Sequence, residues 1–166
     1  MVKAAGYDDY YVTSDLAAPE KSLAYARASS NAGLYPHFGF SLETASDALR
    51  VLNALPHELL GTMFCGYHWF RVDRTPVRSL LDRMEDRLFG VNLCGSSFVG
   101  AGNEINGLDP LIQPLDEGEM NNTDVIGALR EFGYAGSVRV QGYGVTAPAQ
   151  EALVRSREAL RRMWSN

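Results

Sequence analysis

One stretch decides the fold: GLYPHFGFSLETASDALRVLNALP, Gly33 to Pro56. It opens as a short apolar run, AGLYPHF, and continues as a helical pattern. Pro36 has no N–H to give a ladder, so a strand is expected to end near it, with His37 just past that end. Leu42, Ala45, Leu49 and Leu52 then step by three and four, the period of a helix, and Pro56 stops it. Strand followed by helix is a βα unit.

The same unit recurs downstream. LLGTMFCGYHWF (59–70) reads as a second strand and RTPVRSLLDRMEDR (74–87) as a second helix. Thr75 is expected to be its N-cap, Pro76 its first residue, and Val77, Leu80, Leu81 and Met84 its buried stripe. LFGVNLCG is a third strand. After an excursion from Ser96 to Gly118, NTDVIGALREFG is a third helix with Val125, Ile126, Leu129 and Phe132 inward and Gly133 as its cap. SVRVQGYGV is a fourth strand, and a last helix starts at Pro148 and carries Leu153, Val154, Leu160, Met163 and Trp164. Upstream, DYYVTSD reads as a strand remnant, and APEKSLAYARASS reads as helical.

Alternation of this kind, with about 30 residues per unit, means a parallel sheet. The strand runs are apolar on both parities, as expected of a sheet covered on both faces. Neither GxGxxG nor GxxxxGK[ST] occurs, and GYGVTAPAQ (142–150) fits neither phosphate fingerprint.

Composition narrows the function classes. The chain has 166 residues, a net charge of -5, 46% apolar and 21% charged residues, which suits a globular domain with a core. The acidic balance argues against a nucleic-acid partner, and Arg155, Arg157, Arg161 and Arg162 read as the solvated face of the last helix. No apolar run approaches the ~20 residues of a membrane span, and MVKAAGYDDYYVTSD carries no secretory apolar region. Cytoplasmic location is the expectation. Cys65 and Cys94 lie in apolar runs and are expected to be buried free thiols.

Each apolar run ends in polar residues: Tyr35 and His37; Cys65, Tyr67 and His68; Asn92, Cys94 and Ser96; Gln141 and Tyr143. In a (βα) barrel the strand carboxyl ends converge on one mouth, where sites lie. Any single His here could be a satisfied boundary residue, and the tyrosines could plug the mouth with wet hydroxyls. Repetition at four strand ends favours a shared site for a small polar ligand such as a sugar. Cys65 and His68 form C-x-x-H, too loose for a structural zinc site, and no Asp or Glu stands at a strand end for a hard cation.

Several blocks together resemble the C-terminal half of the sugar phosphate isomerase/epimerase family, whose fold is the xylose-isomerase-like TIM barrel. They are GLYPHFGFSLETASDALRVLNAL, MFCGYHWFRVD, RLFGVNLCGSS, LIQPLDEGEMNNTDVIGALREFGYAG, and VRVQGYGV with LVRSREALRRMW. They run from Gly33 to Trp164. The resemblance implies a mouth that binds a sugar or sugar phosphate. In metal-dependent members a Glu, an Asp, a His and a Glu hold a divalent ion. Those positions fall on Tyr35, Cys65, Asn92 and Gln141, and none retains the ligand. His68 matches a His of the family at the end of that strand, and His37 matches a His often found after the first ligand position.

The resemblance therefore implies a site of neutral polar residues with no metal or other cofactor. His37 and His68 would be its acid/base groups, and Glu117 of LDEGE its one nearby carboxylate. Tyr35, Asn92, Gln141 and Tyr143 would hold the substrate.

The expected fold is α/β, a partial (βα) TIM barrel of four to five parallel strands with outer helices. It would form one domain over 1–166, with 1–32 a remnant strand and helix and 33–166 four βα units. A complete barrel takes about 250 residues. The chain is thus expected to be a truncated barrel or to pair, as a homodimer or with a complementary half-barrel. Two functions stay open: a sugar isomerase/epimerase-like enzyme, or a non-catalytic sugar-binding or structural half-barrel that needs a partner.

Overall fold

The structure, a computed structural model, describes residues 9–12, 31–97 and 112–165. Five parallel strands lie side by side in chain order: β1 (Asp9–Val12), β2 (Asn31–Leu34), β3 (Leu60–Cys65), β4 (Leu88–Leu93) and β5 (Val138–Val140). The fold is a partial (βα) barrel, and among the described residues the sheet stays open at β1 and β5. DYYVTSD does supply a strand, whereas the helix read in APEKSLAYARASS lies outside the described residues. No described helix is long and apolar enough to cross a membrane.

Strand side chains alternate between faces, and the register sorts them. Ala32, Leu34, Leu60, Phe64, Val91 and Leu93 join the main core with the helices. The opposite parity holds Gly33 and Tyr35, Met63 and Cys65, Gly90 and Asn92. On this inner face Met63 fills the room two glycines leave. A Cβ at Gly33 would lie 3.1 Å from Met63 Cγ, and one at Gly90 2.8 Å from its sulfur. Tyr35, Cys65 and Asn92 form the next layer towards the strands' carboxyl ends, and Cys65 is in register with Asn92.

Each helix follows from its local sequence. In α1 (Ala45–Ala54) the Thr44 hydroxyl accepts from Asp47 N–H while the Asp47 carboxylate accepts from Thr44 N–H, a capping box. Its face Ala45, Ala48, Leu49, Val51 and Leu52 is buried. The stripe of α2 (Val77–Met84) is Val77, Leu80, Leu81 and Met84. Asn121 caps α3 (Asn122–Glu131) by accepting from Asp124 N–H, and Gly133, at φ +77°, ends the turn after it. In α4 (Ala149–Ser165) the buried residues are Ser156 and Ala159, while Leu153 and Val154 are exposed.

Two local readings are corrected. The second strand stops at Cys65; Gly66–His68 is a helical turn that runs into a π-type turn, Trp69–Asp73. Tyr67 and His68 therefore sit on a turn and not on a strand. Strand β2 ends at Leu34, paired with Thr62, and Pro36 offers no N–H, so β3 loses that neighbour at its end. Thr75 does not cap α2: its hydroxyl donates to the Asp73 carboxylate, and Leu80 N–H closes the first turn onto Pro76 O at 3.1 Å.

Candidate functional site

The inner layer gathers the four strand-end positions. Asn92 Nδ2 donates to the Tyr35 hydroxyl at 3.4 Å, and the Cys65 thiol donates to Gln141 Oε1 at 3.3 Å. Each bond joins strand ends that are not neighbours: β2 to β4, and β3 to the end of β5. Neighbouring strands are about 4.8 Å apart, so alternate strands of a flat sheet would hold these groups roughly 10 Å apart at the backbone. Inward curvature and side-chain length close that distance.

The layer is uncharged. Burial, foremost, pushes the Tyr35 phenol up, and it pushes up the Cys65 and Cys94 thiols as well. Both cysteines are free and buried, as their apolar runs suggested. Asn92 Oδ1 is buried with no hydrogen-bond partner among the described residues.

Such a layer does not fit a divalent cation. It offers a phenol, a protonated thiol and two amides, no carboxylate, and its best donors already bond one another. Among the described residues no group of three or more His, Cys, Asp or Glu is placed to hold a metal ion.

Beside this layer stand two imidazoles. The His37 and His68 rings are 4.0 Å apart, centre to centre, and the Tyr35 ring meets His68 edge-on at 5.7 Å. One residue, Phe38, holds both: its N–H donates to His68 Nδ1 at 3.3 Å, and its carbonyl lies 2.8 Å from His37 Nδ1. A tight loop sets this geometry. His37 N–H donates to Leu42 O, and Phe40 N–H donates back to His37 O, with Gly39 at φ +79° between them. Only a residue tolerant of the left-handed region serves there. The Arg71 guanidinium stacks 3.7 Å above the Phe38 ring.

Burial, then the charges of His37 and Arg71, pull His68 down to about 3 from its ordinary 6.5. The folded protein thus refuses a proton that the unfolded chain accepts. Stability should fall as pH drops from about 6.5 towards 3, by at most ~1.4 kcal/mol per pH unit from this group. Urea unfolding at pH 7 and pH 4.5 checks this: His68→Gln should show the shallower dependence, and equal slopes would count against a neutral buried His68.

Tyr143 is 60% exposed, on the turn after β5. Glu117 does not aim its carboxylate at the strand mouth: it pairs with Arg155 of α4, which also binds Asp116 at 2.9 Å. Sequence reasoning passed over Arg71. Its signal, three residues after His68, shows only when GYHWFRVD is read as helical.

A strap, residues 112–120, packs against this region through Ile112 and Met120, which share a buried cluster with Cys65, Tyr67 and Cys94. Gly95 pairs with Gln113 and Ser96 with Gly118 as isolated bridges, and Leu115 N–H donates to the Ser156 hydroxyl on α4 at 3.1 Å. Asn122 Nδ2 donates to Cys94 O at 2.8 Å and Leu115 O at 2.9 Å, tying strand end to strap.

No protein-family description and no curated protein matches the sequence. Solved structures do resemble the fold. A D-tagatose 3-epimerase-like protein superposes with a TM-score of 0.72 at 16% identity, over 95% of this chain and 62% of that one. A xylose isomerase-like TIM barrel/4-hydroxyphenylpyruvate dioxygenase fusion protein gives 0.70 at 14% identity, over 93% of this chain and 27% of that one. IolI protein with a bound zinc atom gives 0.63 at 16% identity, over 81% and 49%. The chain thus spans less than two thirds of each. The fold is that of part of a xylose-isomerase-like TIM barrel.

Proposed function

We propose that this chain is a sugar isomerase/epimerase-like barrel protein that takes a small sugar or sugar phosphate at the carboxyl ends of β2 to β5, without a metal at the inner layer. The observation that carries this is the convergence of Tyr35, Cys65, Asn92 and Gln141 beside the His37–His68 pair. The structural neighbours include a D-tagatose 3-epimerase-like protein and an L-ribulose 3-epimerase, which supports a sugar as the ligand class. Amides and a phenol suit hydroxyl groups, since each can donate or accept. Asn92 Oδ1 is an acceptor awaiting a donor. Tyr35, Asn92 and Gln141 are the binding groups of this reading, with Tyr143 at the rim, and His37 and His68 are its acid/base pair. Glu117 drops out, because Arg155 holds it. Free buried thiols suit the cytoplasm, where they stay reduced.

Calorimetric titration with ketoses, aldoses and their phosphates tests the reading. Asn92→Leu should weaken the bound sugar about five- to tenfold, since one buried hydrogen bond is worth roughly 1–1.5 kcal/mol. Unchanged affinity, or no sugar bound by the native protein, would defeat it.

A second reading is a non-catalytic partial barrel that needs a partner. The open sheet favours it: β1 and β5 have unpaired outer edges among the described residues, a liability in water. Among the described residues the sheet has five strands, so a second copy or a complementary set of βα units could meet its open edges. Sugar binding without turnover favours this reading. Sedimentation alone and with such a complement shows whether the edges are used.

A further inference from the structure

We propose that the cleft beside Gln141 is a subsite for a small apolar group, an aryl ring or a compact alkyl group of about six carbons, carried by the ligand of the inner layer. The inference rests on the sugar-site reading above and narrows its ligand to a sugar with an apolar substituent rather than a sugar phosphate.

Among the described residues, the strap, the end of β5 and the first turns of α4 leave a cleft of about 180 Å³ between them. An apolar cavity of about 150 Å³ holds one benzene ring, so the room suits a six-membered ring with its linking atom. Pro114, Val140, Val145, Ala152 and Leu153 supply the apolar walls. No charged side chain of the described residues lines the cleft, so a phosphate would meet no cation there. The three polar side chains on its wall have their oxygens engaged. Gln113 Oε1 accepts from the Ser97 hydroxyl at 2.8 Å, Gln141 Oε1 from the Cys65 thiol at 3.3 Å, and Ser156 Oγ from Leu115 N–H at 3.1 Å. A polar group entering here gives up its water and finds those acceptors taken, whereas an apolar group has no such bond to lose.

Two residues join the cleft to the inner layer. Gln141 lines the cleft and receives the thiol of Cys65, a member of that layer. Val145 lines the cleft and packs against the buried cluster of Cys65, Tyr67 and Cys94. A sugar held by Tyr35, Asn92 and Gln141 therefore has the cleft one side chain away. Leu153 strengthens the case from the other end. It is 54% exposed, and an apolar group seated in the cleft would take part of it out of water. Covering an aryl ring and this side chain together should raise affinity about tenfold or more, at the usual gain per apolar area.

Benzene tests the cleft without any sugar. At saturation it should raise the melting temperature of the native protein, as any ligand of the folded state does, and shift the amide resonances of Val145 and Ala152. Ala152→Leu, which fills the cleft from α4, should lose both effects. Leu153→Ala trims an exposed side chain, so it should fold normally and bind benzene about threefold more weakly. No effect of benzene on the native protein, or the same effect in both variants, overturns the subsite. Calorimetric titration with the methyl and phenyl glycosides of D-glucose, D-galactose and D-xylose tests the link to the sugar. Where a pair binds, the phenyl glycoside should bind about tenfold tighter or more, and Ala152→Leu should erase the difference. Equal affinities within every pair that binds overturn the inference and leave the sugar-site reading standing. Benzene bound, with no glycoside and no free sugar bound, overturns the sugar-site reading and leaves the apolar subsite standing.

Discussion

Asn122→Ala should destabilise the protein by about 3 kcal/mol, although the residue is polar and begins a helix. Asn122 is 3% exposed, and its Nδ2 serves two backbone carbonyls, Cys94 O at the end of β4 and Leu115 O in the strap. Alanine leaves both acceptors buried without that donor, at roughly 1–3 kcal/mol each, and opens a small void. For a chain of this size that lowers the melting temperature by roughly 6–12 °C. The neighbouring cap makes the comparison. Asn121 is exposed and accepts from Asp124 N–H at 3.2 Å, so Asn121→Ala should cost only about 1 kcal/mol. Denaturant titration of the two variants decides: a loss at position 122 no larger than at 121 would mean that the clamp does not hold the strap. Cys94 lies two residues beyond Asn92, so under the proposed function a loosened clamp should also weaken sugar binding in Asn122→Ala and not in Asn121→Ala.

Gly118→Ala is the second large effect, again about 3 kcal/mol. Gly118 sits at φ +88°, and an added Cβ would fall onto Ser96 O and the Gln113 side chain. That carbonyl already accepts from Glu119 N–H at 2.7 Å and Met120 N–H at 2.9 Å, so moving it breaks the join between strap and strand end. Gly133 separates conformation from contact. It too has a positive φ, +77°, but nothing lies within 4 Å of its added Cβ. Gly133→Ala should therefore show only the left-handed penalty, about 1 kcal/mol. Equal losses in the two variants would show that the close approach at Gly118 carries no weight.

Much of the architecture was legible residue by residue. The three- and four-residue spacing of Leu42, Ala45, Leu49 and Leu52 marks α1, and Val77, Leu80, Leu81 and Met84 mark α2, because burial on one helical face needs that period. Pro36 marks the end of β2 because it lacks an N–H. Even the isolated DYYV is a strand, paired in parallel with β2. GYHWFRVD was not legible. A short apolar run satisfies strand and helix alike, and what turns it into a helix is the loss of β2 as a neighbour, a fact about another part of the chain.

The site divides along the same line. Local sequence placed polar side chains at the ends of four apolar runs and chose their chemistry: amides, a phenol, a thiol and imidazoles, with no carboxylate at a strand end. Which of them meet was a matter of tertiary structure. Alternation can say that Tyr35 and Asn92 face the same way, but only register and sheet curvature bring groups from β2 and β4 within 3.4 Å. The Phe38 backbone orients both histidines only because His68 arrives from the turn after β3, thirty residues on. Glu117 went the other way: plausible at the mouth by its place in LDEGE, it is drawn to Arg155 once α4 packs beside the strap. Short-range sterics and periodic burial act within a few residues and are written in the sequence directly. Hydrogen bonds between distant side chains depend on where the whole sheet puts them, and for this protein that is what selects the site.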